Sequence, residues 1–295
     1  MNVKSLSSSA MLVSLNISIW TAKKMAKKVA SDVDVANGTK TKVISAYKGL
    51  LAGDDELVAI NKYAGSVRSY HMNITSPWSD SGQRLLTTSQ FFDYKSEMSR
   101  METEYWSLVN RFIPEYGIKI SAAAFQLGSL FDRSEYPEPE DVARKFGFTV
   151  RYEPLPTSGD FRVDIGNEGL NDLKDSYDKL YESNLDRVNA DAYDRLYKIL
   201  TQLSFGLRTN ENGTTGKLYE SVLDNAKELC GLLTHFNVKQ DTQLEAMRLQ
   251  LEENITGLNC KDIQDSDYVR VTLKKEVDSM LDGIWDRTDD ILGKF

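Results

Sequence analysis

The sequence has little of the material from which most catalytic and metal-binding sites are built. Histidine occurs only twice, and neither His71 nor His235 has a histidine or glutamate at metal-ligand spacing. No stretch matches the nucleophile elbow of a serine hydrolase or a complete phosphate-binding loop. The sequence therefore predicts no catalytic residue, no metal site and no cofactor.

Cysteine and long apolar runs are also scarce. Cys230 and Cys260 are the only cysteines in 295 residues, too few for a disulfide framework, so we expect two reduced thiols. No apolar run approaches the roughly 20 residues of a membrane helix. Residues 11–20 lack the cleavage site of a signal peptide. We therefore expect a cytoplasmic protein with no membrane partner.

The charges are distributed unevenly along the chain. The formal net charge is −8, yet residues 1–130 carry 15 basic and 11 acidic side chains, against 21 and 33 in residues 131–295. Residues 1–52 are the most basic stretch, with eight lysines against Asp32 and Asp34. An acidic C-terminal half opposes non-specific nucleic-acid binding, which leaves the N-terminal end as the electrostatically plausible face.

A small antiparallel sheet is predicted in the N-terminal half. Residues 11–19 are apolar at alternate positions, which indicates a half-buried strand. Residues 148–152 and 161–165 alternate in the same way around a turn-rich connector, which predicts a hairpin over 148–165. We expect the N-terminal strand to join this hairpin, because three strands are more stable than two.

Helices are predicted between these strands. The pattern favours helices over 21–30, 40–52, 54–71, 91–112 and 118–131, and a short one that starts within 137–141 and is closed by Gly147. In the helix over 54–71, Leu57, Ile60, Ala64, Val67 and His71 share one face. Proline should end or kink the helix at Pro114, and regular structure should stop at 76–77.

From residue 167 onward the pattern is helical to the C terminus. Apolar residues recur at three- and four-residue spacing, and residues 210–216 form the clearest break. Such stripes predict helices packed as a bundle or antiparallel coiled coil. We therefore predict an α+β, predominantly α protein, with a mixed domain over 1–166 and an acidic helical bundle or coiled-coil region over 167–295.

The candidate nucleic-acid-binding residues are four lysines near the N terminus. On a helix over 21–30, Lys23, Lys24, Lys27 and Lys28 would lie on one face, an arrangement that suits phosphate neutralisation. The alternative is an ordinary solvated helix face beside a strand.

The candidate partner-binding residues are tyrosines on the predicted C-terminal helices. Tyr177, Tyr181, Tyr193 and Tyr197 suit helix–helix seams that have one wet edge. They could form a helical surface for a protein partner. The alternative is an ordinary bundle core.

The segment at 15–24, Leu-Asn-Ile-Ser-Ile-Trp-Thr-Ala-Lys-Lys, resembles the start of an uncharacterised family of tailed-phage and bacterial proteins. In that family a strand ending in an aromatic residue leads into a basic helix. Phe-Ile-Pro-Glu-Tyr at 112–116 and the hairpin over 148–165 are similar in style, so the resemblance covers about 10–170. The family has no assigned activity, and its members are often encoded near cobalt-chelatase-like AAA+ ATPases. The resemblance implies a non-enzymatic accessory role in the host cytoplasm.

Three hypotheses about function remain open. The first is a phage-type accessory protein that binds a protein partner, such as an AAA+ ATPase, or associates with itself. The second is a nucleic-acid-binding protein of recombination or replication that acts through the basic N-terminal region. The third is a virion or scaffold component built from coiled coils.

Overall fold

The computed structural model describes residue 6 and residues 8–156, 166–209, 213 and 215–292, with the backbone alone given for 166–168 and 285–292. The protein is α+β and predominantly helical, as the sequence predicts. The described chain divides into two units. Unit 1 comprises Met1–Ser14, Asn73–Phe92 and Tyr152–Phe295, and unit 2 comprises Leu15–Met72 and Asp93–Arg151.

This division differs from the predicted boundary near residue 166. The first strand residues and the segment Asn73–Phe92 belong to the same unit as the C-terminal helices. Sequence position alone could not indicate this, because the chain enters unit 1, leaves it and returns to it twice.

The sheet contains the strands β1 (Ala10–Ser18), β4 (Ser76–Pro77), β5 (Arg84–Thr87) and β6 (Gly147–Pro154), in the order β4, β5, β1, β6. Strand β1 pairs antiparallel with β5, and β4 also pairs antiparallel with β5. The prediction of β1 and of a strand at 148–152 is confirmed. The second strand of the predicted hairpin, at 161–165, lies outside the described residues.

Strands β4 and β5 were not predicted, and the expectation that regular structure stops at Ser76–Pro77 is wrong. Both strands are short, at two and four residues, so an alternating pattern cannot develop. Burial of Leu85 and Leu86 in the strand stabilises β5 instead.

Two long helices supply much of the core of unit 2. Helix α2 (Asp55–Ile74) buries the predicted stripe from Leu57 to His71, and Asp54 caps it by accepting from the Leu57 amide at 2.8 Å. Helix α3 runs continuously over Phe91–Leu127, so of the two predicted effects of Pro114, an end or a kink, the end is wrong. Phe112 and Tyr116, on either side of the proline, are fully buried on one face, and this burial offsets the roughly 3 kcal/mol cost of an interior proline.

The predicted helix over 40–52 is wrong, and the one over 21–30 is confirmed only from Lys27 onward. The chain forms β2 (Lys23–Met25), α1 (Lys27–Ala36) and β3 (Tyr47–Gly49), and β2 pairs antiparallel with β3. Ala22 has a φ of 48°, which a continuous helix cannot accommodate. The amide of Leu50 donates to the Ala22 carbonyl at 2.6 Å, and this long-range bond replaces the local helical one.

The short helix predicted to start within 137–141 is confirmed as α4 (Pro139–Ala143). Pro139 stands in the first turn and Glu140 and Asp141 follow it at the positive end of the helix dipole.

The helices of unit 1 confirm the predicted C-terminal pattern. They are α5 (Gly166–Leu207), α6 (Glu220–Phe236), α7 (Thr242–Ile255), α8 (Cys260–Asp265) and α9 (Asp267–Leu292). Their apolar stripes meet in one core, in which Leu196, Leu200 and Leu203 are fully buried. A second core cluster packs Trp78 against Tyr181, with ring centroids 5.4 Å apart. Across the described ranges, no helix combines the length and apolar character needed to cross a bilayer.

Candidate functional site

The most exposed basic segment of unit 2 is residues 23–49, which we call the basic lobe. It consists of β2, α1, an irregular segment and β3. The basic lobe contains seven lysines and two aspartates, a net charge of +5, in a protein whose total charge is −8. Its net charge is therefore opposite in sign to that of the whole chain.

The four predicted lysines lie in the basic lobe, but they do not share a helix face. Lys23 and Lys24 are on β2, where successive side chains point to opposite sides, and Lys27 and Lys28 open helix α1. The prediction of a shared helix face is thus wrong, because Lys23 and Lys24 lie in a strand that pairs with β3. All four side chains are exposed, so the basic character of the surface remains.

The exposed lysines of the basic lobe are not neutralised by neighbouring acids. Within the described ranges, Lys23, Lys24, Lys27, Lys28, Lys40 and Lys42 make no ion pair. Of the two acids in the segment, Asp34 is buried and accepts a 3.0 Å hydrogen bond from the hydroxyl of Thr39. Asp32 is exposed, so the outward surface carries one acid against these six lysines and keeps a net positive potential.

The start of helix α1 adds to this potential. Lys27 and Lys28 occupy its first turn, and Ala26 provides no side-chain cap. Cations at the positive end of a helix dipole destabilise it, by roughly 0.3–1 kcal/mol each. The sequence thus contradicts a local stability rule, which is more often seen at functional positions than elsewhere.

The two faces of the β2–β3 ribbon have different environments. Lys24 lies directly opposite Lys48, and the Lys48 amine is drawn into unit 2, where it lies 2.6 Å from a Glu135 carboxylate oxygen and donates to the Leu130 carbonyl. This ion pair relieves the repulsion expected between two opposed lysines. The pair Met25–Tyr47 lies on the other face, together with Lys23.

Exposed apolar side chains accompany the lysines. Tyr47 is 63% exposed and its cross-strand partner Met25 is 43% exposed, while Val35 and Val43 are exposed as well. Among the described residues, no aromatic ring stacks on Tyr47. The basic lobe therefore presents exposed cationic side chains together with one exposed aromatic ring.

Two arginines of unit 1 are instead held by structural contacts. The guanidinium of Arg195 donates to Asp191 at 2.8 Å and to the carbonyl oxygens of Asn73 and Thr75. Arg248 is held between Glu245 and Glu252. Both guanidinium groups form hydrogen bonds and ion pairs within unit 1, unlike the exposed lysines of the basic lobe.

The four predicted tyrosines lie in or against the cores of unit 1. Tyr181 and Tyr193 are 2% and 5% exposed, and burial raises the pKa of Tyr181 to about 12. Tyr177 packs on the same cluster as Tyr181 and its hydroxyl donates to the Pro156 carbonyl. Tyr197 packs against the larger core. Packing accounts for Tyr181 and Tyr193, whose rings are not accessible to a partner.

The two histidines are placed in different units. In unit 2, His71 is buried and its Nδ1 atom lies 2.7 Å from the Tyr94 hydroxyl. In unit 1, His235 lies 2.9 Å from the Ser89 hydroxyl at the surface. Each histidine thus has a structural hydrogen-bond partner.

The acidic cluster at 54–56 lines a pocket of about 360 Å³ in unit 2. Lys119 donates to Asp54 at 2.7 Å and lies 3.0 Å from Glu56. Burial by itself lowers the pKa of Lys119. The hydrogen bonds to Asp54 and Glu56 outweigh this effect, so the pKa is raised above its usual value. The ammonium occupies the position a cation would take, and the cluster is explained by helix capping and ion pairing.

Comparisons with protein-family models, with curated proteins and with solved structures return no match.

Proposed function

We propose that the protein acts by binding nucleic acid through the basic lobe. The single observation that supports this most strongly is the set of exposed lysines at 23, 24, 27, 28, 40 and 42, which form no ion pair with any residue that the structure describes. Phosphate neutralisation by such lysines releases counterions and supplies most of the affinity of non-specific binding. A role as a non-enzymatic accessory protein of phage type, in the host cytoplasm, agrees with this binding function.

The acidic character of unit 1 fits the proposal. Helices α5 to α9 lie in the part of the chain where acids outnumber bases, 33 to 21 over residues 131–295. Negative potential there disfavours binding elsewhere on the chain and restricts the polyanion to the basic lobe.

The test measures fluorescence anisotropy of a labelled 20-nucleotide DNA strand and of its duplex at about 50 mM salt, where electrostatic affinity is high. We expect binding that weakens as salt rises. The salt dependence is the slope of the logarithm of the binding constant against the logarithm of the salt concentration. Combined replacement of Lys23, Lys24, Lys27 and Lys28 by alanine should make this slope shallower by about 0.7–0.9 for each phosphate that these lysines neutralise in the wild type.

A matched control removes four charges from unit 1 instead. Lys179, Lys217, Lys261 and Lys275 are exposed, and their combined replacement by alanine should leave binding nearly unchanged. Because the lysine-to-alanine changes in α1 remove unfavourable dipole interactions, they should not unfold the basic lobe. Absence of binding to both strand and duplex at low salt would refute the proposal.

A second candidate function is binding of a protein partner, either an AAA+ ATPase or a second copy of this chain. The observation in its favour is one face of α3, on which Ile118 is 74% exposed and Phe125 is 91% exposed. These residues are seven apart and so lie on the same side of the helix. Large exposed apolar side chains that share a face are typical of interaction surfaces.

Sedimentation velocity and co-purification test this second function. Phe125→Asp should dissociate a self-associated form or abolish recovery of the ATPase, whereas Phe92→Asp, at an exposed position in the first turn of α3, should not. A monomeric wild-type protein that recovers no partner would count against it. Formation of large symmetric assemblies would instead favour a virion or scaffold role.

A further inference from the structure

One face of the β2–β3 ribbon carries an exposed aromatic side chain, Tyr47, in addition to positive charge. Tyr47 and Met25 are directly opposite each other, and Lys23 is two residues from Met25 on the same strand. All three side chains therefore project from one face of the ribbon. An aromatic ring, a thioether and an ammonium group are thereby brought together at an exposed site.

The exposure of this group is not explained by packing. Most aromatic rings of unit 2 are in core contacts, such as Trp20 against Tyr116 at 5.5 Å between ring centroids. Tyr47 is 63% exposed, although it is held in a strand whose neighbour Lys48 is anchored by Glu135. The ring is thus presented from a backbone that is hydrogen-bonded in the ribbon, directly opposite Met25.

We infer that this face is a stacking platform for unpaired bases, so that the basic lobe binds single-stranded nucleic acid in preference to duplex. This inference rests on the nucleic-acid-binding function proposed above. Every base has a π face, and base stacking on exposed aromatic side chains beside a cationic surface is the usual basis of sequence-tolerant single-strand binding. In a duplex the bases are stacked on one another, so the Tyr47 ring has no base face to contact and only the lysines contribute.

The charges around the ring match a phosphate backbone. Lys23 is on the same face as Tyr47, and Lys27 and Lys28 follow within five residues. A single strand that places a base on Tyr47 can therefore place adjacent phosphates near these ammonium groups. The phosphates bind with a salt-dependent affinity and the base with a largely salt-independent one.

The experiment compares the labelled 20-nucleotide strand, its duplex and an abasic strand of the same length at about 50 mM salt. Tyr47→Leu should weaken binding of the normal strand roughly 5- to 100-fold, the range typical of removing one base stack. Tyr47→Phe should retain the affinity, because stacking needs the ring and not the hydroxyl. For the abasic strand and the duplex, the Leu variant should bind as the wild type does.

Tyr219→Leu is the matched control. Tyr219 is 56% exposed and has the Lys217 amine 4.8 Å from its ring centroid, but it lies in unit 1. Its replacement should leave all three affinities unchanged. A Tyr47→Trp variant should show fluorescence quenching by the normal strand and not by the abasic one.

The outcomes separate the two claims. If neither strand nor duplex binds at low salt, the proposed function itself fails. If both bind equally well and Tyr47→Leu has no effect on the normal strand, the lysines bind nucleic acid and only the stacking inference is overturned.

Discussion

Gly216 lies so close to Gly206 that a Cβ atom at Gly216 would be 2.7 Å from the Gly206 carbonyl oxygen. The backbone of the segment before α6 is thus packed directly on the C-terminal turn of α5. The Gly216 amide donates to the Arg208 carbonyl at 2.7 Å, and a guanidinium nitrogen of Arg270 lies within 3.3 Å of both glycine carbonyls. The predicted break at 210–216 therefore includes a tightly packed contact.

Gly216→Ala should be destabilising by about 1–3 kcal/mol, because the backbone atoms it would meet cannot move away as a flexible side chain can. Gly231→Ala is the control. Gly231 is exposed in α6 with open space around its Cβ position, so alanine there should stabilise by up to about 1 kcal/mol. Urea unfolding of both variants measures the difference. Equal effects of the same sign would contradict the packing argument.

Pro114→Ala should stabilise the protein by about 1–3 kcal/mol. Alanine restores the amide that proline lacks and removes the clash of its ring with the carbonyl of Asn110. Pro114 is exposed, so the change leaves no cavity. Ser107→Ala, at another exposed position of α3, should change the free energy of unfolding much less. A decrease in stability in Pro114→Ala would show that the proline is needed for the path of the helix.

Asp191→Asn should change how the stability of the protein depends on pH, because Asp191 is a largely buried carboxylate. Burial raises the pKa of Asp191 and the neighbouring Arg195 only partly opposes this, so the folded state binds the proton more tightly than the unfolded chain does. The ionised form thus opposes folding, and the stability of the wild type relative to Asp191→Asn should increase as pH falls from about 7 to 4. Denaturant unfolding at several pH values measures this change.

Asp194→Asn serves as the comparison for Asp191. Asp194 pairs with Lys198 at the surface, where both side chains are more than half exposed. Such pairs contribute little to stability. Its replacement should alter the pH dependence less than Asp191→Asn does. The reverse order would mean that Asp191 is not the desolvated group.

Cys230 and Cys260 should be unreactive in the folded protein. Burial raises the pKa of each thiol to about 11, so the reactive thiolate is rare near neutral pH. Labelling with a thiol reagent at about pH 7.5 should proceed only as fast as the protein unfolds, and rapidly in denaturant. A Ser107→Cys variant, with an exposed thiol, should add one fast phase. Fast labelling of the wild type would contradict the buried state.

The parts of the fold that could be predicted are those in which local pattern and burial agree. All five buried residues on the face of α2 from Leu57 to His71 were predicted. A helix of 20 residues is long enough for the three- and four-residue spacing of its buried positions to recur several times. Strand β1, the short helix α4 and the helical pattern after 166 followed from the same logic.

The parts that could not be predicted depend on contacts distant in sequence. The segment 21–52 is rich in helix-forming residues, yet pairing of β2 with β3 overrides their propensity. Pro114 stands within a helix because the burial of aromatic residues around it outweighs a local rule. In both cases the deciding interaction joins residues that no short window contains.

The candidate site was predicted in composition but not in geometry. The exposure and lack of ion pairs of Lys23 and Lys24 are consistent with the basic surface expected from charge, while their placement on a strand is not what helical spacing implied. The local sequence pattern does not distinguish Tyr47 from the other tyrosines of the chain. Its register with Met25, which gives the face its character, required the strand pairing.

The position of Arg270 has a consequence for how unit 1 opens. The buried Arg270 side chain of α9 donates to carbonyl oxygens in the last turn of α5 and in the segment that precedes α6, so separating either segment from α9 breaks a hydrogen bond of a buried cation. Because one cation joins three stretches far apart along the chain, we expect the end of α5 to unfold together with its neighbours and not to fray alone.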